Sequence, residues 1–229
     1  MATAQQRTPS TRKAVRPKSA SRRARGSMSR DEILDAARHL IALHGMRQLS
    51  MPGLARELGS GVTSIYWYFR NKDELLESLA TEAIRESSLR LPPVGDGPWD
   101  EELVEYFGAF RALLHSNPVY REIGTYRPDL LTNMSVRAAQ TRLEAGLGLL
   151  RRAGFAESEA HTVFTLCANY TRGFVALEQG VEAATRGASS IDGDDATEVA
   201  PTDDLGDESY RLGLRLMVAG IAKEFLHRS

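Results

Sequence analysis

Cysteine is almost absent from this sequence of 229 residues, and long apolar runs are absent altogether. The single cysteine, Cys167, cannot form an internal disulfide, and no CxxC motif or Cys/His pair at zinc spacing occurs. Charged residues interrupt the apolar stretches well before the roughly 18 residues that are needed to cross a bilayer. We therefore expect a soluble, cytoplasmic protein that does not associate with membranes.

Catalytic motifs are also missing, since the chain has no nucleophile motif, Walker loop or Rossmann fingerprint. The histidines are scattered without metal-ligand spacing, and structural or surface roles are expected for His39, His44, His115, His161 and His227. Cys167 lies in an apolar stretch without an evident cationic neighbour, which disfavours a redox role. These absences predict a protein that is not an enzyme and holds neither a metal nor another cofactor.

Acidic residues are absent from the first 30 positions, which hold nine arginines and lysines. The rest of the chain carries 20 Lys and Arg against 30 Asp and Glu, so a cationic arm precedes an acidic body. Because residues 1–27 have few large apolar side chains, we expect this arm to be disordered. A basic tail attracts polyanions such as nucleic acid. An inert solubilising tail and a targeting segment remain open alternatives.

The apolar period is helical nearly everywhere after Ser29, and no stretch shows the alternation of a half-buried strand. The pattern predicts an all-α protein. Ser29 and Glu32 have capping-box spacing, and Ser50 and Asn71 are further N-cap candidates. The expected helices cover residues 30–44, 51–58, 62–69, 72–89, 99–115, 133–153, 157–185 and 208–227, with a short piece over 118–127.

Three further segments define the organisation of the chain. Residues 91–98 are rich in Pro and Gly and form a linker between a small N-terminal unit and a larger body. Residues 187–208 are rich in Gly, Ser and Asp and predict a flexible acidic loop. The apolar surface of the last helix is wider than a single stripe, so burying all of it requires a partner beyond the chain's own core. Its apolar residues are Leu212, Leu214, Leu216, Met217, Val218, Ile221, Phe225 and Leu226.

Residues 50–69 predict two short helices joined by a three-residue glycine turn, which is the helix-turn-helix arrangement. In that arrangement the second helix enters the major groove of DNA. Ile65 and Phe69, four residues apart, are expected to face inward. The side chains between and before them are hydroxyls and hydrogen-bonding aromatics, which suit an exposed contact surface: Thr63, Ser64, Tyr66, Trp67 and Tyr68.

Two stretches of this region carry a specific signature, namely Leu49-Ser50…Leu54-Ala55-Arg56-Glu57-Leu58-Gly59 and Ile65-Tyr66-Trp67-Tyr68-Phe69-Arg70-Asn71-Lys72-Asp73-Glu74-Leu75-Leu76. They closely resemble the DNA-binding domain of TetR-family transcriptional regulators. The resemblance implies that Ser50 contacts a phosphate and that Val62, Thr63 and Ser64 meet base edges and thymine methyls. It further implies backbone or flanking-base contacts for Tyr66, Trp67, Tyr68 and Lys72.

Several later stretches look like the C-terminal domain of the tetracycline-repressor branch: Thr125-Tyr126-Arg127-Pro128, Leu149-Leu150-Arg151-Arg152-Ala153-Gly154-Phe155, Gly173-Phe174-Val175-Ala176-Leu177-Glu178-Gln179 and Tyr210-Arg211-Leu212-Gly213-Leu214. In that branch a long helix and the last helix form a four-helix dimer interface beside an effector pocket. Candidate pocket residues, chosen as aromatic walls with sparse polar anchors, are Ser87, Tyr106, Phe110, Tyr126, Phe164, Asn169, Tyr170, Phe174 and Glu178.

The sequence departs from the resemblance in three places. Ser60 replaces the apolar residue that is usual in the turn, and residues 51–53 lack side chains that reach bases. We therefore expect base recognition to fall mainly on residues 62–68. Ile123 and Gly124 occupy the region where the tetracycline-repressor pattern has a metal-binding histidine. A magnesium-tetracycline effector is accordingly not expected.

These expectations combine into one hypothesis. Residues 1–27 are a basic arm, residues 28–72 a three-helix helix-turn-helix DNA-binding domain, and residues 73–229 a helical effector-binding and dimerisation domain. The protein is expected to be a homodimeric repressor that binds a palindromic operator on double-stranded DNA and is released by an unknown small molecule. The alternatives are a nonspecific DNA-binding protein and a dimeric ligand sensor that does not bind DNA.

Overall fold

The computed structural model describes residues 28–127, 129–130, 137–188 and 206–226. These residues form nine α-helices and no strand, which confirms the all-α prediction. The predicted arm and most of the predicted acidic loop lie outside the described residues. The helices are α1 (Arg30–His44), α2 (Met51–Glu57), α3 (Val62–Tyr66), α4 (Lys72–Arg90), α5 (Trp99–Ser116), α6 (Pro118–Tyr126), α7 (Arg137–Arg152), α8 (Glu157–Ala188) and α9 (Asp207–Ile221).

The three predicted helix N-caps are confirmed. The Ser29 hydroxyl accepts from the Glu32 amide at 3.1 Å, and the Glu32 carboxylate accepts from the Ser29 amide at 3.0 Å. Ser50 caps α2 through the Gly53 amide, at 3.2 Å. Asn71 caps α4 by accepting from the Glu74 amide at 2.8 Å. Each cap satisfies an amide that has no partner inside its helix.

Some helix boundaries differ from the prediction. Helix α3 ends at Tyr66, three residues early, and a turn follows in which the Tyr68 and Phe69 amides donate to the Ile65 carbonyl oxygen. Helix α8 runs to Ala188, and α9 already begins at Asp207, so both enter the segment predicted as a loop. After Ile221 the last helix continues as one π-helical turn, over Ala222–Leu226.

Two hydrophobic cores form within the described residues. The N-terminal core gathers apolar side chains of α1, α2, α3 and most of α4, with Ile33, Leu54 and Ile65 fully buried. The body core is formed by α5, α7, α8 and α9. Helix α6 comes after α5 in sequence but contributes Val119 and Ile123 to the N-terminal core. It therefore joins the two units.

Tyr210 on α9 is the polar centre of the body core. Its ring is fully buried, and its hydroxyl donates to the Phe107 carbonyl oxygen at 2.9 Å. The same hydroxyl lies 2.8 Å from the Thr171 hydroxyl. Burial raises the pKa of Tyr210 well above its usual value. One side chain thus fastens α9 to both α5 and α8.

We expect Tyr210→Phe to lower the free energy of unfolding by about 1–2 kcal/mol, because it removes a buried hydroxyl and its hydrogen bonds to the Phe107 carbonyl and the Thr171 hydroxyl. Urea denaturation at fixed protein concentration measures the change. The matched control is Tyr126→Phe, since Tyr126 is exposed on α6. Equal stabilities of the two variants would contradict the role assigned to Tyr210.

Candidate nucleic-acid interface

Helices α2 and α3 are joined by a tight turn at Gly59, Ser60 and Gly61. Gly59 has φ +60°, a left-handed conformation that side chains disfavour. The Ser60 amide then donates to the Ala55 carbonyl at 2.9 Å, which closes the end of α2. This turn fixes the direction in which α3 leaves α2.

The inward orientation predicted for Ile65 and Phe69 is confirmed, since both side chains are fully buried. The side chains between them project outward, and Trp67 is 85% exposed. Tyr66 and Tyr68 are exposed to 45% and 40%. An indole that is left in water contributes little to the core, and exposed Trp and Tyr side chains suit a contact surface.

The other side chains predicted to contact DNA surround this aromatic patch. Thr63 and Ser64 are exposed, and Val62 is half-buried against the N-terminal core. The Lys72 ammonium donates to the Leu49 carbonyl oxygen at 2.6 Å, which places it next to Ser50. The Ser50 hydroxyl accepts from an amide as a cap and keeps its own proton for donation. The hydroxyl at the start of α2 and the ammonium at the start of α4 therefore lie together at one edge of the N-terminal unit.

The sequence analysis did not include two residues next to Ser50, Gln48 and Arg56, among the candidate DNA contacts. Gln48 and Arg56 line, with Ser50 and Gly53, a surface groove of about 370 Å³ between α1 and α2. Ser50, Gly53 and Arg56 are three residues apart and share a face of α2. This spacing in the sequence could have shown that Arg56 lies beside Ser50. The groove offers an amide and a guanidinium beside the predicted phosphate contact.

The start of the described chain lies against the same surface. The Tyr68 hydroxyl donates to the Met28 carbonyl oxygen. Two residues later, the Arg30 guanidinium stacks over the Phe69 ring at 4.8 Å and donates to the Ser78 hydroxyl. The described part of the chain therefore begins beside Tyr68 and Phe69.

Helix α6 contacts the N-terminal unit through polar groups as well as apolar ones. The Glu122 carboxylate accepts from the Met46 amide at 3.0 Å. Arg127, which follows α6, pairs with Asp73 in the first turn of α4 at 2.7 Å. A change in the position of α6 would thus reach both α1 and α4.

The predicted pocket residues are divided between two aromatic clusters and the surface of the body. Tyr106, Phe110 and Phe164 pack with Phe107 in one aromatic cluster, in which the Phe107 and Phe164 ring centroids are 5.1 Å apart. Tyr170 and Phe174 pack around Tyr210. Ser87 is buried, and its hydroxyl has no hydrogen-bond partner among the described residues. Tyr126 and Asn169 are exposed.

Glu178, the predicted acidic anchor of the pocket, is engaged within the chain. Its carboxylate is 7% exposed and pairs with Arg111 and with His115, whose Nε2 lies 2.8 Å away. Arg111 also pairs with Asp207 at 2.9 Å and stacks over the Tyr210 ring. This network joins α5, α8 and α9.

Four leucines of the two last helices are exposed. Leu212 and Leu216 on α9 are 51% and 65% exposed, whereas Leu214 and Val218 are buried. On α8, Leu166 and Leu177 are also exposed. The surplus of apolar residues in the last helix is thus divided between an inner face and an outer face.

Other chemistry is not supported by the described residues. They contain no group of His, Cys, Asp and Glu that could hold a metal ion. Burial raises the pKa of Cys167 to about 12, so its thiol stays protonated and unreactive. No helix among them has both the length and the apolar character that a membrane span requires.

Comparison with known proteins gives two family matches. The family model for bacterial regulatory proteins of the tetR family matches residues 33–79. The model for the tetracyclin repressor-like C-terminal domain matches residues 91–225. Together the two models cover most of both hydrophobic cores.

Individual relatives agree with these matches. An HTH-type transcriptional repressor of Mycobacterium tuberculosis is 32% identical over 184 residues, which are 79% of this chain and 70% of the relative. The class A tetracycline repressor protein of Escherichia coli is 28% identical over 211 residues, which are 85% and 90% of the two chains. The crystal structure of TetR from Acinetobacter baumannii AYE superposes with a TM-score of 0.63 at 26% identity, covering 87% of this chain and 99% of that one.

Residues 1–27 hold eight arginines and lysines and precede Met28, whose carbonyl oxygen accepts from the Tyr68 hydroxyl. If these cations bind phosphates, their removal should make the dependence of log K for DNA on log salt shallower by about 0.9 for each phosphate that is no longer bound. The measurement is a salt titration of duplex binding by the full chain and by a chain without residues 1–27. A full-length variant with these arginines and lysines changed to Gln controls for length. An unchanged slope would show that the arm does not bind DNA.

Proposed function

Because the chain belongs to the tetR family of bacterial regulatory proteins, we propose that it is a homodimeric, cytoplasmic repressor that binds a palindromic operator and is released by a small-molecule effector. The observation that carries this proposal is the aromatic patch of Tyr66, Trp67 and Tyr68. These rings stand in solvent on a segment whose other side is anchored by two fully buried residues.

In the proposed complex α3 lies in the major groove. Val62, Thr63 and Ser64 meet base edges and thymine methyls, which suit short apolar and hydroxyl side chains. Tyr66, Trp67, Tyr68, Ser50 and Lys72 hold the phosphate backbone and so fix the register of the helix. The Lys72 ammonium uses one of its three protons on Leu49 and can give another to a phosphate.

Dimerisation supplies the second recognition helix. The exposed leucines of α8 and α9 form an apolar surface for a second copy of this chain, and their burial is the driving force. A two-fold dimer places its two recognition helices about 34 Å apart, so the half-sites should be centred on the order of 10 base pairs apart.

Effector release is proposed to act through α6. This helix is packed into the N-terminal core by Val119 and Ile123 and bonded to it by Glu122. An effector that favours another position of α6 would change the separation of the two recognition helices. To empty a mostly occupied operator, it must favour the non-binding form by a few kcal/mol.

Selection of duplexes from a random library tests DNA recognition. We expect the full chain to enrich a near-palindrome, and Trp67→Ala to bind it at least tenfold more weakly because an exposed DNA-binding side chain is removed without disturbing the core. The control is Leu89→Ala, which removes another largely exposed apolar side chain, from the far end of α4. Circular dichroism should be the same for all three proteins.

Three outcomes would contradict this part of the proposal. Equal affinity for the enriched duplex and random duplex would indicate a nonspecific DNA-binding protein. A lack of any binding at moderate salt would indicate a sensor without DNA binding. Unchanged affinity in Trp67→Ala would remove the role assigned to the aromatic patch.

Dimerisation has its own test. Leu212→Glu combined with Leu216→Glu should convert the dimer to a monomer in sedimentation velocity, because burying two carboxylates in an apolar interface is costly. Leu43→Glu with Leu89→Glu places the same charges on exposed positions of α1 and α4 and should stay dimeric. If the parent protein sedimented as a monomer at micromolar concentration, the proposed dimer would be wrong.

A further inference from the structure

The surface groove between α1 and α2 lies beside the start of α2. His44, in the last turn of α1, lines it from one side, and Gln48 comes shortly before the N-cap Ser50. Gly53 and Arg56 follow Ser50 at intervals of three residues and line the groove along α2. The groove is open to a large partner, since the side chains of His44, Gln48, Ser50 and Arg56 are all exposed.

Gly53 allows two hydrogen-bond donors to come together in this groove. A Cβ atom at position 53 would lie 2.9 Å from the Oγ of Ser50 and 3.8 Å from the Nη2 of Arg56. The arginine side chain therefore folds back along α2, over the glycine, towards the hydroxyl. Because position 53 has no side chain, a ligand can also approach the helix backbone closely. One hydroxyl and one guanidinium group thus border the same small space.

The guanidinium group of Arg56 is not used by the fold. Among the described residues it has no hydrogen bond, ion pair or ring contact. Three other arginines of the N-terminal unit are engaged: Arg30 and Arg38 donate to side chains of α4, and Arg47 stacks over a tyrosine ring. All five N–H groups of Arg56 are therefore available to an acceptor from outside the chain.

The groove also contains one acidic residue, Glu57. It does not neutralise Arg56, because adjacent residues of a helix do not face each other and no ion pair joins the two within the described part of the chain. No atom of Glu57 lies within 4 Å of the position that a Cβ of Gly53 would take. The space above Gly53 is therefore cationic and suits an anion.

We propose that Arg56 binds one phosphate of the DNA backbone through two parallel hydrogen bonds and that Ser50 donates its hydroxyl proton to the same phosphate. The planar guanidinium fork matches two oxygens of a phosphate group. The Ser50 hydroxyl accepts from the Gly53 amide as a helix cap and still has its proton to donate. Gln48 supplies a further amide donor at the edge of the groove.

This inference rests on the function proposed above and adds to it a backbone contact from the last turn of α2. In helix-turn-helix proteins the first helix crosses the DNA backbone while the second reads bases. Pro52 and Gly53 offer no side chain that reaches a base, which leaves α2 with a backbone-binding face. A phosphate held by Arg56 would fix the position of α3 in the groove of DNA without selecting the base sequence.

Binding of the selected duplex by the full chain over a series of salt concentrations tests the contact. At about 0.1 M salt, Arg56→Gln should bind at least tenfold more weakly than the parent. Its slope of log K against log salt should be shallower by about 0.9 for each phosphate lost, or about 1.8 for a dimer on two half-sites. Arg90→Gln removes the same charge from an exposed position at the far end of α4 and should change neither value. Unchanged affinity and slope in Arg56→Gln, or an equal effect of Arg90→Gln, would overturn the contact.

Arg56→Lys separates the shape of the guanidinium group from its charge. Lysine keeps the charge but cannot form two parallel hydrogen bonds, so we expect the salt slope of the parent with an affinity between those of the parent and Arg56→Gln. Full affinity in Arg56→Lys would contradict the paired hydrogen bonds. The Tm should be the same for all variants, because Arg56 is exposed and unengaged in the described chain. A lower Tm in Arg56→Gln would give the side chain a structural role instead.

Modified duplexes distinguish a phosphate contact from a base contact. A methylphosphonate replaces one charged phosphate oxygen by a methyl group, and it can be placed at each backbone position of the half-sites in turn. At one position it should weaken binding by the parent and cost Arg56→Gln nothing further. Base-pair substitutions should weaken binding by both proteins equally. If a base pair mattered to the parent but not to Arg56→Gln, Arg56 would read a base and the proposal would be wrong.

These measurements separate the inference from the function on which it rests. A chain that enriches a near-palindrome and is indifferent to Arg56→Gln would overturn the contact and leave the proposed repressor intact. A chain that binds no duplex would overturn both.

Discussion

The structure depends on how one short helix divides its residues. In α6, Val119 and Ile123 are buried with the N-terminal core, whereas Arg121 and Gly124 face the body. Apolar side chains leave such a core only at the free-energy cost of exposing them to water. The helix therefore cannot move without displacing what it packs on. The two units have separate cores, but α6 packs against both, so they are joined by this contact as well as by the chain itself.

The same principle orients the recognition segment. Helix α3 has five residues, too few to be stable alone, and Ile65 with Phe69 secures it to the N-terminal core. Once these two side chains are buried, the period of the helix sends the aromatic side chains between them into solvent. The Tyr68 hydroxyl then holds the chain at Met28 against this surface. Burial on one side thus produces a rigid, exposed surface on the other.

The body shows how a polar group is tolerated in a packed interior. Tyr210, Glu178 and Arg111 are linked by hydrogen bonds, ion pairs and ring contacts that satisfy one another. Several predicted pocket residues pack against this network in the interior of the body. Their role in binding an effector stays a prediction. Arg121 and Arg172 differ because their buried Nε atoms have no partner among the described residues.

Local features were determined by the sequence alone, because each depends on neighbours within four residues. The caps at Ser29, Ser50 and Asn71 and the inward pair of α3 are of this kind. Tertiary structure decided the rest: α6 joins the N-terminal core, and Glu122 reaches the amide of Met46, 76 residues away. It also brought Arg121 and Arg172 to one cavity. Such contacts depend on how whole helices pack against one another, and the local spacing of residues does not predict that packing.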